Sequence, residues 1–337
     1  MSPSEISPAT VVAVAFTMAL ALTPVVRAAS SWIGLVDRPN VRSSHQKLVP
    51  RSGGIAIAAA VLAALALARS TWEGGTTALL LGAVALALVG LVDDRFSLSA
   101  RVRASAQLVV ALGIVLAMGG LERLPLPPPL DWPLGILGAP LTVLWIVSVV
   151  NFFNFLDGID GLAAAQAAVT ATGIWLASWE PAAALVAAGL AAAVAGFLPF
   201  NWSPASVFLG DVGSYFLGCT LAALPLLAPS ESRPAAVLLV ALSLWLFLAD
   251  ATWTLASRAR RGERIHQAHR EHLYQQLALR FGHARVTLAI GAGSALLTAA
   301  ALAAWKIGAA SVSWAAVCLA AALFAAEWMA ARRSGVA

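Results

Sequence analysis

Apolar residues in this chain come in long, nearly unbroken runs, and polar residues gather in the gaps between them. Neither the alternation of a half-buried strand nor the single stripe of a soluble amphipathic helix dominates. Many runs approach the ~20 residues that a helix needs to cross a bilayer. Eleven spans follow, at roughly 8–29, 52–69, 77–92, 99–118, 134–150, 161–178, 181–199, 212–228, 235–257, 285–305 and 312–330. The gaps are of two kinds. "EGG" at 73–75, "LPLPPPLDWP" at 124–133, "WEP" at 179–181 and "APSESRP" at 228–234 are rich in helix breakers and read as turns. The others carry charge. The pattern predicts an all-α polytopic integral membrane protein, folded as a single transmembrane domain over 1–337.

Charge gives the arrangement a direction. Only 11% of residues are charged, too few to coat a soluble chain of 337 residues. Lysines and arginines collect in alternate gaps: Arg27 to Arg51, Arg95 to Arg103, Arg258 to Arg285, and the tail with Arg332 and Arg333. The positive-inside rule makes that face cytoplasmic, with the N-terminus outside and the C-terminus inside. The net charge of +5 therefore reflects topology, and no nucleic-acid partner is called for. Residues 1–26 hold no lysine or arginine, so a cleavable signal peptide is not expected. Cys219 and Cys318 lie in apolar runs, without a metal-binding spacing, and read as buried, inert thiols.

Candidate chemistry gathers on the same face. All five histidines lie there, with Asp37, Asp93, Asp94, Asp157, Asp160 and Asp211. In "VGLVDDRFSLSAR", Asp93 and Asp94 are adjacent carboxylates at a membrane surface, which repel unless a cation relieves them. A polar turn with Ser97 or Ser99 capping the next helix is the plainer alternative. In "NFFNFLDGIDGL", a helix would step Asn151, Asn154 and Asp157 along one face, with Asp160 following. Amide and carboxylate oxygens are hard donors suited to Mg²⁺. A plain helix–turn–helix is the competing reading. "FNWSPASVFLGDVGSYFLG" sets Asn201, Asp211 and Ser214 at a membrane edge, where Asp211 could instead merely cap a helix. In "RARRGERIHQAHREHLYQQL", His266, His269 and His272 alternate with Arg264 and Arg270. No cysteine is near and helical zinc pairs favour an i, i+4 spacing, so the segment reads as a phosphate-binding surface, or else as a basic loop that only sets topology. Carboxylates for Mg²⁺ and cations for phosphate on one membrane face predict phosphoryl transfer at a membrane interface, with a lipid as one candidate acceptor.

These four motifs, in this order, resemble the polyprenyl-phosphate N-acetylhexosamine-1-phosphate transferases, which include MraY-, WecA- and WbpL-type enzymes. "DRPNVRSSHQKLVPRSGGIAI" is similar to the family's segment before its second helix. The resemblance covers about the whole chain. It implies transfer of an N-acetylamino-sugar 1-phosphate from a UDP-sugar to undecaprenyl (polyprenyl) phosphate. The products are polyprenyl-diphosphate-sugar and UMP, and the cofactor is Mg²⁺ with Mn²⁺ as the substitute ion. It implies a bacterial inner membrane with a periplasmic N-terminus and a cytoplasmic C-terminus, metal neighbours Asp211 and Asn154, and catalytic Asp93, Asp94 and Asp157, with Asp93 and Asp94 where the lipid phosphate arrives. Asp160, Gly158 and Asn151 are implied at the nucleotide. Arg264, His266, His269, Arg270 and His272 are implied at the diphosphate or sugar. Arg95, Arg101, Arg103, His45 and Lys47 are candidate contacts of the lipid phosphate. The spaced histidines resemble the WbpL-type branch that initiates O-antigen or related surface glycans. A homodimer is an open arrangement. A transporter of a phosphorylated or nucleotide-linked solute is the alternative, but its site would lie near the midplane and be reachable from both faces.

Overall fold

A computed structural model describes residues 7–37, 48–68, 72–263 and 270–333. Its helices are α1 (Pro8–Ile33), α2 (Gly53–Leu67), α3 (Gly74–Phe96), α4 (Ala100–Met118), α5 (Gly138–Leu156), α6 (Leu162–Ala177), α7 (Pro181–Asn201) and α8 (Gly210–Ala223). They continue as α9 (Arg233–Ser243), α10 (Trp245–Arg260), α11 (Leu273–Phe281), α12 (His283–Ile307) and α13 (Ala310–Arg333). Eight helical stretches are long and apolar enough to cross a membrane, α9 and α10 pass the same test as a bent pair, and α2 and α6 are shorter apolar helices. The chain is an all-α polytopic membrane protein.

Helix α8 is the axis of the bundle. It packs against α2, α3 and α5, and all of its residues except Asp211 are buried. Close approach at its first turn depends on two glycines. A Cβ on Gly54 of α2 would lie 2.1 Å from Gly213 N, and one on Gly90 of α3 would lie 2.4 Å from Asp211 O. Missing side chains let three backbones converge around Asp211, the one residue of the central helix that is not fully buried.

The predicted ninth span is not one straight helix. α9 and α10 meet at Leu244 with a bend of 74°. Gln166 Nε2 donates to Ser243 O at 2.7 Å, so a carbonyl at the break is satisfied by a side chain from α6. Ser294 Oγ in turn reaches Gln166 Oε1 at 2.6 Å. An inserted side chain of this kind holds a kink inside an apolar bundle. The thiols also differ from expectation: Cys219 is buried, but Cys318 is exposed because α13 turns most of its surface outward.

One feature has no signal in hydropathy. β1 (Val36–Asp37) pairs antiparallel with β2 (Val49–Pro50), in register Val36 with Pro50. Pro50 O accepts Phe208 N–H at 2.7 Å, and Gly53 N and Gly54 N donate to Phe208 O and Leu209 O at 3.0 and 2.8 Å. Arg51 N donates to Leu35 O at 3.0 Å. The segment carrying Arg51 is thereby laced to both α1 and the entry to α8.

Candidate active site

Four of the sequence-predicted residues converge where α3 and α5 end and α8 begins. The Asn154 side-chain amide donates to Asp211 Oδ1 at 2.7 Å and to Ser214 Oγ at 3.2 Å. Asp94 Oδ2 accepts Val212 N–H at 3.2 Å. Its other oxygen, Oδ1, is buried without a hydrogen bond. Arg51 faces this group, with Nη2 3.2 Å from Asp94 Oδ1 and 3.6 Å from Asp211 Oδ1, and Nη1 3.7 Å from Asp37 Oδ1. The 3.2 Å approach is an ion pair lacking hydrogen-bond alignment.

Asp157 completes the group in a way the helical reading did not anticipate. α5 stops at Leu156, and Asp157 is its C-cap with φ −83° and ψ 44°, so neither Asp157 nor Asp160 continues the helical face. Burial pushes the Asp157 carboxyl well above its ordinary range, Arg51 opposes this, and Asp211, Asp94 and Asp160 add to it. Burial works against the Arg51 charge, yet Asp94, Asp211, Asp37 and Asp157 outweigh it and raise its pKa. These are the marks of one crowded anionic site with a single resident guanidinium.

The acidic pair splits in two directions. Asp93 Oδ2 is 3.0 Å from Arg103 Nη1 and 3.3 Å from the Tyr215 hydroxyl, and Asp93 Oδ1 accepts Leu98 N–H at 2.8 Å. It fastens the α3–α4 turn to α8. Arg103, an expected lipid-phosphate contact, is committed to that ion pair. Arg95 is exposed and lies over the Phe96 ring, and Arg101 is exposed. Ser99 caps α4 through Val102 N–H, as the plainer reading of this motif expected.

The three expected nucleotide residues have different partners. Asn151 Nδ2 donates to Gln107 Oε1 at 2.6 Å and to Val147 O at 2.8 Å, tying α5 to α4. Asp160 Oδ2 accepts Ala205 N–H at 3.2 Å and lies 3.4 Å from His283 Nδ1. Burial would lift the Asp160 carboxyl, but hydrogen bonds from His283, Ala205 and Ser203 bring it below its ordinary range. Gly158 is exposed beside Tyr274, whose hydroxyl would stand 2.1 Å from an added Cβ and donates to Phe155 O at 3.0 Å.

His45, Lys47, Arg264, His266 and His269 lie outside the described residues. Arg270 is exposed. His272 is buried, with its ring near Phe155 and Tyr274 and Nδ1 3.3 Å from Asp250 Oδ1. Asp250 also accepts Leu273 N–H at 3.0 Å and Tyr274 N–H at 3.1 Å, capping α11 from inside the bundle. The basic segment is less cationic than its arginines imply. Arg258 pairs with Glu263 and Glu271, and Arg261 pairs with the same two acids. Both glutamates are in the sequence, but only the fold sets them against these arginines.

The site's donor chemistry fits Mg²⁺. Among the described residues no three acids, histidines or cysteines form a preformed cage. Mg²⁺ does not need one, since it binds through one or two carboxylates, waters and substrate phosphates. Asp211, the amide beside it and the orphaned oxygen of Asp94 are hard oxygen donors on one rim.

A glycosyl transferase family 4 model matches residues 76–228, which hold all four converging residues. A probable undecaprenyl-phosphate N-acetylglucosaminyl 1-phosphate transferase of Bacillus subtilis is 32% identical over 263 residues, covering 77% of this chain and 74% of that protein. The chain belongs to this family, the polyprenyl-phosphate N-acetylhexosamine-1-phosphate transferases. The decaprenyl-phosphate N-acetylglucosaminephosphotransferase of Mycobacterium tuberculosis is 29% identical over 79% of this chain and 74% of its own length. The undecaprenyl-phosphate alpha-N-acetylglucosaminyl 1-phosphate transferase of Escherichia coli is 29% identical over 76% and 72%. In this family member, Arg51 was counted at the sequence level only as a charge that sets sidedness. Its place directly before "SGG" and an apolar run was the available signal.

Proposed function

We propose that this protein transfers N-acetylglucosamine 1-phosphate from UDP-N-acetylglucosamine to a polyprenyl phosphate, releasing UMP at the cytoplasmic face of a bacterial inner membrane. The observation that carries the reading is the meeting of Asn154, Asp211, Asp94 and Asp157 around Arg51, in a chain whose relatives are named for this transfer. The sidedness rests on the positive-inside rule and on eleven crossings, counting α9 and α10 as one and α2 and α6 as short spans. The spaced histidines favour initiation of an O-antigen or related surface glycan.

The acceptor phosphate has a second pKa of ~6 and is largely dianionic at neutral pH. It has little need of a general base. An oxygen of the lipid phosphate bonds to the sugar-linked phosphorus of the nucleotide sugar. The bond from that phosphorus to the bridging oxygen breaks, and its electron pair leaves with UMP. Bound Mg²⁺ supplies charge neutralisation at the diphosphate. Asp211 and Asn154 would hold it, with Asp94 beside them. Among the described residues, Arg51 is the cation paired with Asp94 and Asp211. Asp93 orders the α3–α4 turn, and Asp160 orders the loop that follows α5. Burial at Asp157 favours its neutral form, and Arg51 opposes this.

The test is UMP release by purified protein with undecaprenyl phosphate and Mg²⁺, across UDP-N-acetylglucosamine, UDP-N-acetylgalactosamine and 6-deoxy UDP-N-acetyl sugars. UMP release with none of them overturns the reading. Preference for a sugar other than N-acetylglucosamine overturns the sugar assignment alone.

A further inference from the structure

Arg51 stands where a divalent cation would be drawn. Its Nη2 is 3.2 Å from Asp94 Oδ1 and 3.6 Å from Asp211 Oδ1. The Asp94 side chain is 0% exposed, and Oδ1 has no hydrogen bond. A buried carboxylate oxygen with no donor is costly, so this one is aimed at a cation that the protein's hydrogen bonds do not supply. Arg51 relieves it only by charge. An arginine does not lose its proton under any working condition, so its charge is permanent.

The arginine's backbone and head differ in freedom. Arg51 N is bonded to Leu35 O, Pro50 O to Phe208 N, and Gly53 N to Phe208 O. The Cα is pinned on both sides. The side chain is 34% exposed, so its head can turn outward without burying a charge. A guanidinium and a divalent ion cannot both occupy the mouth between Asp94 and Asp211. Once displaced, the guanidinium remains on the same rim, within its side chain's reach of any phosphate held there, and its fork suits phosphate oxygens.

We propose that Arg51 is a built-in counter-ion of this site. It occupies the mouth between Asp94 and Asp211 in the cation-free protein, competes with the divalent ion for that mouth, and turns to the substrate diphosphate when displaced. Arg51 is thus a positioning residue for the cation and a binding residue for the diphosphate. The inference rests on the proposed function, because it takes the same acids as the cation's ligands.

Two consequences oppose each other, which makes the role measurable. Removing the charge should tighten cation binding while it harms turnover. Full-length protein in nanodiscs, as wild type, Arg51→Met and Arg51→Lys, would be titrated with Mn²⁺ and followed by electron paramagnetic resonance. In the same preparations, melting would be recorded in EDTA and in excess Mg²⁺. Arg51→Met should bind Mn²⁺ on the order of tenfold more tightly, because a positive charge less than 4 Å from the carboxylates is gone. Its melting temperature in EDTA should fall below wild type, and Mg²⁺ should restore more of it than it restores in wild type. Arg51→Lys keeps the charge and should resemble wild type in both. Equal or weaker Mn²⁺ binding by Arg51→Met overturns the counter-ion role, whatever the activity. Wild-type UMP release is read separately: its presence with unchanged Mn²⁺ binding sinks this inference alone, and its absence sinks the proposed function.

Discussion

The side-chain amide of Asn154 donates to Asp211 Oδ1 at 2.7 Å, joining the end of α5 to the start of α8 across 57 positions of sequence. It holds the one incompletely buried residue of the central helix by one of its two oxygens. Asp211→Asn keeps an oxygen to accept that bond, so the fold should persist. It removes one formal charge from a site that relies on few carboxylates. UMP release should drop by roughly 100-fold or more. Circular dichroism and melting would confirm the fold, and a near-normal rate with unchanged Mg²⁺ dependence would count against the metal assignment.

Asp93 offers a second separation. A base role predicts that Asp93→Asn recovers as pH rises past the second pKa of the lipid phosphate. The ion pair with Arg103 and the bond from Leu98 N–H predict instead a structural loss that does not depend on pH. The expected outcome is a destabilisation of about 1–3 kcal/mol. The activity deficit should stay constant from about pH 6 to 9, the range around the phosphate's second pKa. A pH–rate profile of the variant, beside its denaturation midpoint, reads both.

At Asp157 the sign of the pH effect can be worked out. Burial raises its folded pKa above the unfolded value of ~3.9. The folded protein then holds a proton that the unfolded chain releases, so stability is lost as pH rises from ~3.9 through the folded pKa. Asp157→Asn removes this loss. In EDTA the variant should melt near wild type at about pH 4 and above wild type at neutral pH. Excess Mg²⁺ should shrink the difference by stabilising the wild-type carboxylate.

Asp250 caps α11 and meets His272 from inside the bundle. Asp250→Ala removes the acceptor shared by two amide N–H groups, the Thr254 hydroxyl and the His272 imidazole. The loss in stability should be about 1–2 kcal/mol, typical of a helix cap. Substrate effects should appear in the KM for the nucleotide sugar rather than in bilayer insertion, because α11 carries Tyr274 beside Gly158. A steady-state titration in UDP-N-acetylglucosamine checks it, and an unchanged KM would detach this cap from the site.

By itself, the order of apolar runs determined that this chain is a helical membrane protein. Each predicted span falls on helix, the ninth on the bent pair α9 and α10, because in a bilayer a helix satisfies its own backbone hydrogen bonds within the segment. The motifs also determined which face carries the acids, and the pairing of Asn154 with Asp211 in one site. What sequence could not decide was direction. Asp93 and Asp94 are adjacent and chemically identical, yet one is fixed to Arg103 and Tyr215 and the other faces Arg51. Neighbours one step apart on a helix point about 100° apart, and which of them meets the site depends on how α3 rotates against α8. The same holds for Asn151, which the helix turns toward Gln107. Arg51 needed the tertiary structure most. Its role comes from a two-residue strand pair and from backbone bonds to residues 208 and 209, more than 150 positions away. Those contacts have no periodicity and no hydropathy, so only the folded chain could bring that charge to the mouth between Asp94 and Asp211.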